Sequence, residues 1–108
     1  MIDRLQSLRL IPVVALDRAE DAEPMADALC AGGLRCAEIT LRTDAALDSI
    51  QALAGREDFL LGAGTVHSAE QAKAAVEAGA QFVVTPGFNP RTVMWCQENQ
   101  VPGVPGIA

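Results

Sequence analysis

The sequence predicts an α/β chain, a parallel β/α barrel truncated to about four βα units plus a fifth strand. Three observations carry this reading. Short apolar runs alternate with longer amphipathic ones at a steady, short period. Half of the residues are apolar, yet there are only three Phe, one Trp and no Tyr. The core must therefore be built from Val, Ile, Leu and Ala, which suits a buried parallel sheet under Ala-rich helices. Finally, no G-x-G-x-x-G fingerprint announces the strand-order reversal of a doubly wound sheet, because Gly62-Ala63-Gly64 lacks the third glycine.

Taken in order, Leu10 to Leu16 is an apolar run rich in β-branched residues, and reads as the first strand. Arg18 to Leu29 is helical in composition, with Pro24 tolerable only in the first turn, and Gly32-Gly33 stops it. Arg35 to Leu41 is the second strand. Thr43 is placed to cap a helix from Asp44 to Ala54, whose Leu47, Ile50 and Leu53 share helical spacing. Phe59 to Ala63 is the third strand. Ser68 and Gln71 form a capping box for a helix that runs to about Ala78 and stops at Gly79. Gln81 to Thr85 is the fourth strand, ended by Pro86-Gly87. Asn89 caps the next helix, with Pro90 at its first position, and that helix runs to about Glu98. Val101 to Ile107 begins a fifth strand. The strand centres fall near positions 13, 38, 61, 83 and 104. Strands and helices alternating in this way give a parallel sheet, and unbroken crossovers of one hand curl it toward a barrel. A complete barrel needs about 200 residues or more, so the 108 residues read as one domain, residues 1–108, forming the first half of a barrel.

The net charge of −6 argues against nucleic acid or an anionic membrane as a partner. No apolar stretch approaches the ~20 residues of a membrane helix, and the start Met1-Ile2-Asp3-Arg4 lacks a signal-peptide pattern. Cys30, Cys36 and Cys96 show neither metal spacing nor C-x-x-C. An odd number of cysteines without a secretion signal reads as buried thiols in a reducing cytoplasm. No metal or cofactor is expected.

The second strand, Cys36 to Arg42, is the most informative stretch. Side chains alternate across a strand. Ala37, Ile39 and Leu41 form one face, suited to packing under helices, and Cys36, Glu38, Thr40 and Arg42 form the other. In a barrel the second face is the lumen, where a carboxylate is costly unless paired or functional. Glu38 is thus a candidate general acid/base, and Arg42, at the C-terminal end of the strand, a candidate clamp for a substrate carboxylate. A structural Glu38–Arg42 pair, or a solvated edge, fits the same pattern. The small residues of Gly62-Ala63-Gly64 let a ligand approach the backbone, with Thr65 offering a hydroxyl, though an ordinary βα turn needs the same residues. Thr85-Pro86-Gly87 and Val104-Pro105-Gly106 repeat one arrangement at two strand ends and together favour a shaped pocket wall. His67 reads as a solvated loop residue. Lys73, the only lysine, lies mid-helix on an outer face. Met94 and Trp95 read as core, and Arg91 and Glu98 as solvated.

In their order and spacing, Leu10-Ile11-Pro12-Val13-Val14, Glu38-Ile39-Thr40-Leu41-Arg42-Thr43, Gly62-Ala63-Gly64-Thr65-Val66, Thr85-Pro86-Gly87 and Val104-Pro105-Gly106 resemble the KDPG/KHG aldolases. The Glu38-to-Thr43 run is the most specific piece. The resemblance implies a (β/α)8 barrel of the TIM type, commonly a trimer. It implies a class I aldolase that cleaves 2-keto-3-deoxy-6-phosphogluconate or 4-hydroxy-2-oxoglutarate to pyruvate and an aldehyde, with no cofactor. Glu38 would be the acid/base, acting through a water. Arg42 and Thr65 would contact the pyruvate-derived part, and Pro86 would line the same pocket. The family's Schiff-base lysine and its phosphate site belong to later strands and have no counterpart in residues 1–108. Lys73 does not match that lysine. Two other functions fit a half barrel: a non-catalytic fragment that self-associates through its bare sheet edges, or a binding module that holds keto acids with Arg42.

Overall fold

Each helix returns the chain to the same end of the sheet, so successive strands lie side by side and parallel. The computed structural model describes residues 9–106. Strands β1 (Val13–Val14), β2 (Cys36–Thr40), β3 (Leu60–Gly64), β4 (Phe82–Thr85) and β5 (Gly103–Pro105) form one parallel sheet in sequence order. Between them stand a 3-10 turn (Ala19–Asp21) and helices α1 (Ala22–Ala31), α2 (Ala46–Leu53), α3 (Ala69–Ala78) and α4 (Pro90–Glu98). Each helix packs on the next. No helix among the described residues is long and apolar enough to cross a membrane.

The main core lies between sheet and helices. Ala37, Ile39, Leu61, Ala63 and Val83 from the strands meet Ala22, Ala26, Ile50, Leu53, Ala72 and Ala75 from the helices, all buried. The small Ala side chains on α1 and α3 let the helices sit close to the sheet. Completely burying a residue such as Ile39 or Ile50 is worth roughly 1.5–3 kcal/mol. A second, smaller cluster of Cys36, Leu60 and Phe82, flanked by Ile11 and Val84, occupies the opposite face.

Caps follow local chemistry. The Ser68 hydroxyl accepts from the Gln71 amide at 3.1 Å, and the Gln71 side chain accepts from the His67 amide at 2.7 Å, one residue earlier than a standard capping box would place it. Asn89 accepts from the Arg91 and Thr92 amides, with Pro90 at the first helical position. Gly79 closes α3 at φ +128°, a conformation closed to most L residues.

Five expectations are corrected. Thr43 does not cap α2: its hydroxyl donates to the Leu16 carbonyl, tying the β1 and β2 loops together, and the helix starts at Ala46 without a side-chain cap. Leu47 is 41% exposed, since only Ile50 and Leu53 of that stripe face the sheet. Met94 is 56% exposed on the outer side of α4, whereas Trp95 packs on the core. The first strand is only two residues long, because it lies at an edge with a single neighbour and Pro12 has no N–H to give. Of the expected fifth strand, Val101 and Pro102 precede β5 and Ile107 lies outside the described residues.

One buried side-chain group among the described residues is unsatisfied. Thr92 is 1% exposed and its Oγ1 has no hydrogen-bond partner among the described residues. It lines a groove of about 230 Å³ between α4 and β5, together with Cys96, Val101 and Val104. An unmade buried hydroxyl bond is unfavourable, whereas an apolar group of the same shape is not. Thr92→Val is therefore expected to raise the stability of the chain by about 1 kcal/mol, measured as a higher urea midpoint at unchanged slope.

Candidate active site

In a parallel sheet the C-terminal strand ends share one rim, and the loops that follow them meet there. Arg42 follows β2, Thr65 follows β3 and Pro86 follows β4. These three residues thus occupy successive positions along one rim, with Glu38 below them in β2.

Register fixes which way Glu38 points. Ile39 is buried under the helices and Leu41 packs against the same layer, so Glu38 projects from the opposite, concave face. It stands opposite Val13 of β1 on one side and Gly62 of β3 on the other. It is 7% exposed. Burial pushes its carboxyl above the usual glutamate range, and the nearby positive charge of Arg42 draws it partly back. No ion pair joins the two residues among those described. The structural-pair alternative for Glu38 and Arg42 is therefore not what the geometry shows.

Arg42 is held by another group. Its Nε donates to Thr65 Oγ1 at 3.3 Å. Thr65 makes this contact from a left-handed backbone, φ +57°. Such a conformation is a genuine outlier for a β-branched residue and stores about 1–3 kcal/mol of strain. Two positions on adjacent strand ends are thus fixed to each other at the rim.

Pro86 is exposed and lines an open pocket of about 360 Å³ with Val66, His67, Gly87, Phe88 and Asn89. Glu38, Arg42 and Thr65 are not among its lining residues. The fourth strand end is shaped by the Thr85 hydroxyl, which donates to the Gly87 carbonyl at 2.7 Å. The backbone of Pro86 is close enough to Gly106 that a Cβ there would meet its carbonyl carbon at 2.9 Å. The two proline-glycine turns therefore form one continuous stretch of wall.

The glycines of β3 do something different from what their sequence implied. The space above them is occupied by side chains of this chain, not left for a ligand. A Cβ on Gly62 would meet the Phe82 ring, at 2.6 Å from Cε1. A Cβ on Gly64 would meet the Glu38 carboxylate, at 2.8 Å from Cδ. The available signal was glycine at alternate positions, which puts both on one face of the strand. Phe82, which forms the floor beside these glycines, was not singled out from sequence at all.

The remaining candidates stay apart. His67 is exposed, and its amide is taken by Gln71. The Lys73 ammonium lies 4.0 Å from Glu77 on the outside of α3, with the side chain 65% exposed. Cys36 and Cys96 are buried, whereas Cys30 is only partly so, with its Sγ 3.8 Å from Asp58 Oδ2. No cluster of metal-ligating side chains is found among the described residues. An Arg56 clasp to Asp27 (2.8 Å) and Asp58 (2.9 Å) sits at the opposite end of the sheet. Hydrogen bonding to Arg56 holds the Asp58 carboxyl below its usual range. Ordering of that face serves the scaffold, not the rim.

The chain resembles known proteins over most of its length. The chain is 54% identical to the 2-dehydro-3-deoxy-phosphogluconate aldolase of Treponema pallidum over its whole length. It is 51% identical to the protein of the same name from Haemophilus influenzae over 99% of the chain. It spans about half of each relative, 52% and 51% respectively. A solved KDPG aldolase of Legionella pneumophila, described with pyruvate captured as a covalent carbinolamine intermediate, superposes with a TM-score of 0.86 at 40% identity. That match covers 91% of this chain and 48% of the other. The family model "KDPG and KHG aldolase" matches residues 1–108, and the chain therefore belongs to the KDPG and KHG aldolase family.

Proposed function

We propose that this chain is the acid/base half of a class I aldolase barrel, residues 1–108 being its first half. The whole enzyme would cleave 2-keto-3-deoxy-6-phosphogluconate or 4-hydroxy-2-oxoglutarate to pyruvate and an aldehyde, as a homo-oligomer in the cytoplasm. The observation that carries the reading is Glu38. It is a nearly buried carboxylate on the concave face of a family member, raised in pKa and without an ion pair among the described residues, below a rim that presents an arginine.

In this reading Glu38 moves protons between substrate and solvent through a water. A raised pKa brings the group closer to the operating pH, which favours both taking and giving a proton. Arg42 receives the keto-acid carboxylate through the donors that Thr65 leaves open, and Pro86 stands at the next strand end on the same rim. The amine that forms a Schiff base with the substrate ketone comes from the other half of the barrel, because Lys73 is solvated on an outer helix.

Pyruvate with borohydride tests this division of labour, read by intact mass. The chain alone is expected to give no adduct. Mixed with the second half of the Haemophilus influenzae relative, it is expected to restore cleavage, with the adduct on the added half. An adduct on this chain, or no cleavage from a mixture that co-elutes as a complex, would overturn the assignment.

A second reading is favoured by the sheet edges. Val13 on β1 is 61% exposed and Val104 on β5 is 41% exposed. Apolar edges of this kind pair with other strands, so the chain alone would self-associate as paired half barrels, with Arg42 retaining keto-acid binding. Sedimentation distinguishes the two: a stable dimer that refuses the complementary half supports self-pairing.

A further inference from the structure

Glu38 is held in place by few conventional contacts. Among the described residues, no hydrogen bond or ion pair reaches its carboxylate, and Arg42 is engaged by Thr65 instead. A buried carboxylate with three flexible torsions would ordinarily sample several positions. Here the neighbouring strand limits it. The three atoms nearest to a Cβ built on Gly64 are all from Glu38, with Cδ at 2.8 Å and Cγ at 3.3 Å. No backbone atom is among them. The carboxylate thus leans across β3 and fills the volume that any other residue at position 64 would claim.

One step down the same face, Gly62 is filled by the Phe82 ring, which is fully buried. Gly62 is the register partner of both Glu38 and Phe82. The two glycines therefore form a track along β3 into which its neighbours lean from opposite sides, an apolar ring below and a carboxylate above.

We infer that Gly64 is a positioning residue: the side chain it lacks is the seat of the Glu38 carboxylate, and that seat sets where the acid/base oxygens stand relative to Arg42 and Thr65. The inference rests on the proposed role of Glu38 for its catalytic meaning, but the seat itself does not. The two substitutable positions also differ in kind. At Gly64 the obstacle is the end of a flexible side chain, so a methyl group displaces the carboxylate. At Gly62 the obstacle is a rigid buried ring, so a methyl group strains the core.

The test uses the 108-residue chain with 13C-labelled glutamate carboxyls, Glu38 being assigned by its loss in Glu38→Gln. In Gly64→Ala the carboxylate swings toward the open side of the sheet, and its titration midpoint is expected to fall toward the ordinary glutamate range. Thermal melts of a double-mutant cycle supply a second measurement. Gly64→Ala is expected to lower Tm by on the order of 5 °C in the wild-type background. In a Glu38→Ala background it is expected to lower Tm not at all, because alanine is favoured over glycine in a strand once the space is free. A single variant that fails to fold beside a double variant that folds supports the same conclusion. An unchanged Glu38 midpoint in folded Gly64→Ala, an equal fall in Tm in both backgrounds, or two unfolded variants would overturn it. These readouts need no catalysis, so the seat and the aldolase reading fail separately.

Discussion

Glu38→Gln is expected to lower kcat/KM of the reconstituted barrel by about 10²–10⁴-fold, the usual contribution of a positioned general acid/base, while making the chain itself more stable at neutral pH. Glutamine keeps the shape of the side chain and its reach into the space above Gly64, but it can neither take nor give the proton. If the substitution raised KM and left kcat intact, Glu38 would be a binding residue and the acid/base assignment would fall.

The stability effect has a definite sign. Burial raises the Glu38 pKa in the folded chain above its unfolded value. The protonated form is the one the fold prefers, so the stability linked to this group is fully present below the unfolded pKa. It is lost as pH rises through the folded pKa. Glutamine resembles the protonated acid and does not titrate. Urea midpoints of the two chains should therefore converge in acid and separate toward neutral pH, with Glu38→Gln the more stable. The opposite divergence would mean that the fold stabilises the carboxylate ion, and Arg42 would then outweigh burial. A gain in stability on losing a catalytic group is what a functional, unpaired carboxylate predicts, and a structural ion pair predicts the reverse.

The same residue shows how far sequence reaches. Period-two alternation placed Glu38 opposite Ile39 and Leu41, and the structure puts the latter two under the helices. The βα period gave five strands in order, since each apolar run, glycine stop and cap is a local signal. What was hidden lay between strands. That Gly64 faces Glu38, or Gly62 faces Phe82, depends on the register of β2 and β4 against β3, which no local pattern encodes. For the same reason Thr43 looked like a helix cap. Its hydroxyl donates to the Leu16 carbonyl, 27 positions away, and the helix has no side-chain cap. A Glu38–Arg42 pair fits the sequence as an alternative because the two share one strand face, yet the Arg42 Nε donates to Thr65 from the next strand end.

Phe82→Ala is expected to destabilise the chain by about 3–5 kcal/mol, the cost of emptying a large buried aromatic site. Phe82 is fully buried, is the largest member of the cluster on the concave face, and is the one ring that fills the space above Gly62. Its neighbours there are few: Cys36, Leu60, Ile11 and Val84. None is large enough to close the gap, and Gly62 leaves the strand bare beneath it. A domain of this size has about 5–15 kcal/mol in total, so Phe82→Ala should show loss of a cooperative thermal transition or a midpoint near room temperature. Phe82→Leu retains most of the volume and should cost less than half as much. If Phe82→Ala instead melted within a few degrees of the parent chain, the concave face would contribute little to folding. The stability of the half barrel would then reside in the helix-side core of Ile39, Ile50, Leu53 and Leu61 alone.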